Sequence, residues 1–244
     1  MDGNRTRIRS FKKLIMEKLE INDKFTEALN YLNNTQENVF ITGNAGTGKS
    51  TLLAYFRETT KKNIAVLATT GVAALNIDGQ TIHSFFKLPP NIVKEKVLEH
   101  KLSDKRKKLI AHLDMIIIDE ASMLRSDLLD CIDVSLRHHR QEETLAFGGV
   151  QMVFIGDLYQ LPPVVSGDEE REIFKKQYSS PYFFSAKSSA TSCALYFLSP
   201  LTNPSDILSI ASLTIFLFFE VKVDNFSCVQ TSQLKLFYQI FLRG

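Results

Sequence analysis

Cysteine is scarce in this sequence: Cys131, Cys193 and Cys228 stand far apart, and no C-x-x-C pair occurs. That pattern excludes a disulfide scaffold and a zinc module, and it suits a reducing compartment. Long hydrophobic runs are missing too. The longest, Ile207 to Phe219, has 13 residues, includes Ser209, Ser212 and Thr214, and stops at Glu220; a bilayer span needs about 20. No membrane partner is expected. The cationic N-terminus (Arg5, Arg7, Arg9, Lys12, Lys13) lacks the apolar core of a secretory signal and reads as a solvated amphipathic helix, with an organellar transit peptide the alternative. A charge excess is absent as well: 29 Lys and Arg stand against 27 Asp and Glu, net +2, so a polyanion site would have to be a local patch. The chain contains no internal repeat and no low-complexity tract. These absences point to an intracellular protein, cytoplasmic or nuclear.

What is present is a globular composition, 44% hydrophobic and 23% charged over 244 residues. Its character changes near Lys187. The last 58 residues carry only 7 of the 56 charges and one of the 11 glycines. The expected organisation is a basic helical extension over 1–21, one domain over 22–186 and an atypical tail over 187–244 arising from truncation or a frameshift. Within the domain, apolar runs at Asn38–Thr42, Ile64–Thr69, Met115–Asp119 and Val150–Gly156 alternate with helix-like stretches such as Ser126–Arg137. Continuous apolar strands suit a parallel sheet covered on both faces, so the class is α/β. Ile92–Leu113 reads as one exposed helical stretch carrying the run Lys105, Arg106, Lys107, Lys108, which ordinarily marks only a solvated face.

The sharpest local signal is Gly43-Asn44-Ala45-Gly46-Thr47-Gly48-Lys49-Ser50, followed by Thr51. It fits G-x-x-x-x-G-K-[ST] between a strand and a helix. Glycines let successive backbone amides turn inward as an anion nest, and the helix that follows points its positive end at the same place. Lys49 would reach the outer phosphates of ATP, and the Ser50 hydroxyl would hold Mg²⁺. Asp119-Glu120 closes the strand from Met115, at the sheet edge where α/β folds bind ligands. Asp119 is placed to hold Mg²⁺, and Glu120 to orient or deprotonate the attacking water. The pair favours hydrolysis over nucleotide storage.

Two longer blocks add a resemblance. Thr69 to Phe86 (TTGVAALNIDGQTIHSFF) and Gly148 to Val164 (GGVQMVFIGDLYQLPPV), in order around Asp119-Glu120, resemble motifs of the Pif-one/RecD-like DNA helicases of superfamily one. The likeness spans roughly Asn22 to Ala186. It implies a RecA-like first motor domain acting on single-stranded DNA with ATP and Mg²⁺, in repair, recombination and telomere maintenance. It implies that Gln160 senses the γ-phosphate while Gly156 and Asp157 shape the strand end. It further implies that Thr70, Gly71, Thr81, His83, Phe85 and Phe86 lie along the DNA strand. The chain departs from the family pattern at Phe25, where many members carry an adenine-reading glutamine. It departs again beyond Lys187, where a second motor domain would follow: Arg243 is the only arginine after Arg171. A truncated, weakly catalytic ATP- and DNA-binding module is the alternative expectation, with a second motor domain from another chain left open. Clamp loaders and other AAA-type ATPases share the phosphate loop and acidic pair but not the two longer blocks.

Overall fold

Residues 23–190 and 193–197 are described by a computed structural model. The extension over 1–21 and most of the tail over 187–244 lie outside the described residues. In chain order the regular elements are α1 (Asp23–Asn34), β1 (Asn38–Thr42), α2 (Lys49–Thr59), β2 (Ile64–Ala68), α3 (Gly71–Asn76), β3 (Gln80–Thr81) and α4 (Ile82–Phe86). They continue with α5 (Asp104–Ala111), β4 (Met115–Asp119), α6 (Ser126–Arg140), β5 (Gln151–Gly156), α7 (Asp168–Gln177) and β6 (Cys193–Phe197). The four apolar runs became strands with ends within one residue of expectation.

The sheet is ordered β3-β2-β4-β5-β1-β6, and every neighbouring pair is parallel. Side chains alternate across a strand, and here both faces are buried. Phe40, Ile116, Ile118, Met152 and Phe154 face a core built with α4, α5 and α6. Val39, Ile41, Met115, Ile117, Val153 and Ile155 face a second core built with α1 and α2. Each such side chain contributes about 1.5–3 kcal/mol on burial, which is why a run like Met115–Ile118 holds a central strand. A RecA-like three-layer α/β domain results. Because all strands run the same way, the residues after β1, β2, β4 and β5 emerge at one edge, with Thr42 opposite Gly156 and Ala68 opposite Asp119.

One expectation needs correction. Ile92–Leu113 is not a single helix: a 3-10 segment, Lys94–Glu99, precedes α5, which Ser103 caps by accepting the Arg106 amide at 3.4 Å. Val97, Leu102 and Ile110 are all buried in the same core. At 100° per residue a continuous helix would aim Val97 and Leu102 about 140° apart, so the break lets both point inward.

Candidate nucleotide and DNA site

The phosphate loop leaves β1 at Thr42 and enters α2 at Lys49. Gly46 and Gly48 have φ of 80° and 91°, a left-handed backbone that glycine adopts without steric cost. Gly48 is the helix N-cap and provides no side-chain cap, so the first amides of α2 keep their donor capacity for an anion. Inside the loop, Thr47 donates its hydroxyl to the Asn44 carbonyl at 2.9 Å. The Lys49 ammonium donates to the carbonyls of Gly43 and Asn44, the latter at 3.0 Å. Burial lowers the Lys49 pKa, opposed by the charges of Asp157, Glu120 and Asp119 in that order. One half-buried cation therefore lies within the field of three carboxylates from the ends of two strands.

Those carboxylates are held differently. Asp119 has its pKa raised from the ordinary 3.8, chiefly by burial and also by Glu120; a backbone hydrogen bond from Glu120 and the Lys49 charge oppose the shift. Glu120 takes a left-handed backbone, φ 53° and ψ 43°, a conformation that costs a non-glycine residue of order 1 kcal/mol or more and tends to occur at functional sites. Its carbonyl accepts the Thr69 hydroxyl at 3.4 Å. Gly156 brings β5 against the residues that follow: a Cβ there would meet the amide nitrogens of Ala121 and Ser122 at 3.1 Å. The Ser122 hydroxyl is buried without a hydrogen-bond partner. Asp157, 6% exposed, accepts the Tyr159 amide at 3.0 Å and faces the Gln160 side-chain amide at 3.5 Å. Its carbonyl accepts the Gln160 amide at 3.0 Å, closing a turn that leaves Gln160 exposed at the same edge.

The segments expected to meet DNA adjoin this edge. β3 pairs with the end of β2, Leu67 with Gln80 and Ala68 with Thr81, so the turns after both strands come out side by side. Thr70 caps α3 by accepting the Ala73 amide at 3.2 Å, and Thr81 caps α4 by accepting that of Ser84 at 3.2 Å. Gly71 is exposed at the start of α3, and His83 is half-buried on α4. Burial lowers the His83 pKa against the pull of Asp127. Phe85 and Phe86 correct the expectation. They are 3% and 1% exposed, pack edge-on to each other at 4.9 Å, and belong to the core. In this fold neither ring offers a face for a base.

A family model described as PIF1-like helicase matches residues 13–188. The chain belongs to the PIF1-like helicase family. It is 40% identical over 148 residues to the ATP-dependent DNA helicase PIF1 of Saccharomyces cerevisiae, a match covering 58% of this chain and 17% of that one. To the ATP-dependent DNA helicase Pif1 of Bdellovibrio bacteriovorus it is 38% identical over 154 residues, covering 61% and 34%. Among solved structures, Bacteroides Pif1 bound to ssDNA superposes with a TM-score of 0.69 at 37% identity, over 84% of this chain and 48% of that one. Bacteroides Pif1 in complex with ADP-AlF3 and ssDNA gives 0.70 at 32% identity, over 92% and 57%. The matches thus cover only 17% and 34% of these two curated relatives.

Within this PIF1-like chain the structure adds contacts that the linear motifs do not give. Asp157 was expected only to shape a strand end, yet it is the strongest of the charges acting on Lys49. No linear pattern pairs a residue after β5 with one after β1; the register Thr42 to Gly156 does. Arg57, on α2, donates to the carbonyls of Ile77 and Asp78 at 2.7 and 3.1 Å, tying the phosphate-loop helix to the turn that leads into β3. Arg125 bonds Asp127 at 2.7 Å, Glu170 at 2.8 Å and the Val164 carbonyl at 3.2 Å. It thereby fixes the connection after β4 to the loop after Gln160. Phe25 is a core side chain, edge-on to Tyr55 of α2 at 5.9 Å. Among the described residues no helix is long and apolar enough to cross a membrane.

Proposed function

We propose that this chain is the ATP-hydrolysing motor domain of a DNA helicase that acts on single-stranded DNA. The convergence of Lys49 with Asp119, Glu120 and Asp157 behind the phosphate loop carries this reading. Gly43, Asn44, Ala45, Gly46, Thr47, Gly48, Lys49, Ser50 and Thr51 hold the phosphates through backbone amides and the Lys49 ammonium, which leaves its loop carbonyls for the β- and γ-phosphates. Glu120 orients a water and takes its proton as the water oxygen bonds the γ-phosphorus and the bond to ADP breaks. Gln160, hinged on Asp157, senses whether the γ-phosphate is present.

The donors at this edge fit Mg²⁺: a hydroxyl on Ser50 and a carboxylate on Asp119 are the hard oxygen ligands it prefers, and a buried carboxylate with a raised pKa is stabilised by a cation. When bound, the ion neutralises charge developing on the phosphates. Thr70, Gly71, Thr81 and His83 contact the DNA strand near the paired turns after β2 and β3. The Saccharomyces and Bdellovibrio relatives are named ATP-dependent DNA helicases, which supports the helicase reading; roles in repair, recombination and telomere maintenance, in the nucleus or cytoplasm, are what the family likeness implies.

ATP hydrolysis by the purified chain, with and without oligo(dT), tests the reading. Acceleration by DNA that both Lys49→Ala and Glu120→Gln abolish is the expected result. Hydrolysis indifferent to Lys49→Ala would overturn it.

A further inference from the structure

The basic run after the DNA segment is not used by the motor chemistry, and the fold gives it a defined setting. Lys87 to His112 contains eight lysines and arginines against Glu95, Glu99 and Asp104. That is a net +5 in a chain whose total is +2, so charge is concentrated here while the rest of the sequence is net acidic. On α5, Lys105, Lys107 and Lys108 are exposed, and Lys94, Lys96 and Lys101 are exposed just before it. Only Lys107 has a carboxylate partner among the described residues, Asp104 at 3.7 Å, and that partner is 92% exposed.

The helix is anchored at both ends. Arg106 lies over the Phe85 ring at 4.8 Å and donates to the Gln80 side chain at 3.3 Å, which fixes the first turn to β3 and α4. At the other end Arg140 donates to the carbonyls of Ile110, Ala111 and Leu113 at 2.9–3.1 Å. This ties the helix terminus to α6. The cations are therefore presented by an element tied at its first turn to the Gln80–Phe86 segment and at its end to α6.

Single-strand surfaces combine positive charge with exposed rings on which bases stack. Between Lys87 and His112 there is no Phe, Tyr or Trp. Charge without stacking platforms suits a polyanion whose bases are already stacked inside. We propose that the α5 strip is a second nucleic-acid surface, one that holds the phosphate backbone of duplex DNA without reading sequence, adjoining but separate from the single-strand segment. Lys105, Lys107 and Lys108 are its phosphate contacts.

The test measures binding of a blunt 20-base-pair duplex and of oligo(dT) to the full chain by fluorescence anisotropy, without nucleotide, across a NaCl series. With Lys105, Lys107 and Lys108 all changed to Ala, the slope of log K against log salt for the duplex is expected to fall by about 3, one per phosphate contact, with Kd at low salt rising roughly 10-fold or more. Oligo(dT) affinity should change by less than about 2-fold, since phosphate and stacking contacts of the single strand lie elsewhere. The charge-preserving triple Lys→Arg variant should bind duplex as the parent does. An unchanged duplex slope, an equal loss for both DNAs, or failure of the Arg variant to restore binding would each overturn the proposal. Hydrolysis by the parent chain that is indifferent to Lys49→Ala, with the duplex results as expected, would instead sink the motor reading and leave this one standing.

Discussion

Phe86 offers a sharp discrimination between a side chain that touches DNA and one that holds the fold. Its ring is 1% exposed and packed against Phe85 within the core that also takes Ile82, Ile116 and Ile118. Phe86→Ala removes those contacts and leaves a cavity, at a cost of about 3–5 kcal/mol, a large part of the roughly 5–15 kcal/mol that holds a domain together. Melting should fall by roughly 6–20 °C. Phe86→Leu keeps most of the apolar volume and should cost only about 1.5 kcal/mol, while removing any ring on which a base could stack. The decisive assay pairs urea denaturation with oligo(dT) binding for Phe86→Leu and for Phe85→Leu. If the rings are core, stability drops modestly and DNA affinity of the folded protein is unchanged. If a ring stacks on a base, affinity falls by about 1–3 kcal/mol, roughly 5- to 150-fold, with stability nearly intact. The second pattern would refute the burial argument.

Glu120→Gln should retain ATP binding and lose hydrolysis by about 10²–10⁴-fold, measured by single-turnover kinetics beside a nucleotide-binding titration. Gly156→Ala should cost about 1–3 kcal/mol in urea unfolding, because the new methyl meets the Ala121 and Ser122 amides at 3.1 Å; an unaffected midpoint would mean that the contact relaxes freely. Asp119, held above its ordinary 3.8 by burial, binds more protons folded than unfolded just above that pH. Its contribution therefore makes the nucleotide-free protein lose stability as pH rises through that window. Asp119→Asn should remove that loss, and parallel pH-stability curves for the two proteins would contradict it.

The strands and the phosphate loop were legible because their signals are local. Met115–Asp119 carries its own instruction: four apolar residues can be buried only if both faces of the sheet are covered, and the carboxylate must then fall at the end. The glycines and Lys49 of the loop likewise encode an anion nest within eight residues. The single-helix reading of 92–113 failed because helical periodicity does not say which neighbour a side chain will find, and Val97 and Leu102 both needed the same core.

Sequence by itself determined the α/β class, the nucleotide loop, the acidic pair and the family likeness, since each is written in contiguous residues and depends on short-range geometry. Tertiary structure alone decided that Asp157 acts on Lys49 and that Arg125 joins two loops. It alone decided that Phe85 and Phe86 are core, and that the basic helix is pinned beside the Thr81–Phe86 segment by Arg106. Those facts depend on which parallel strands lie side by side and which helix face is covered, and such contacts join residues far apart along the chain.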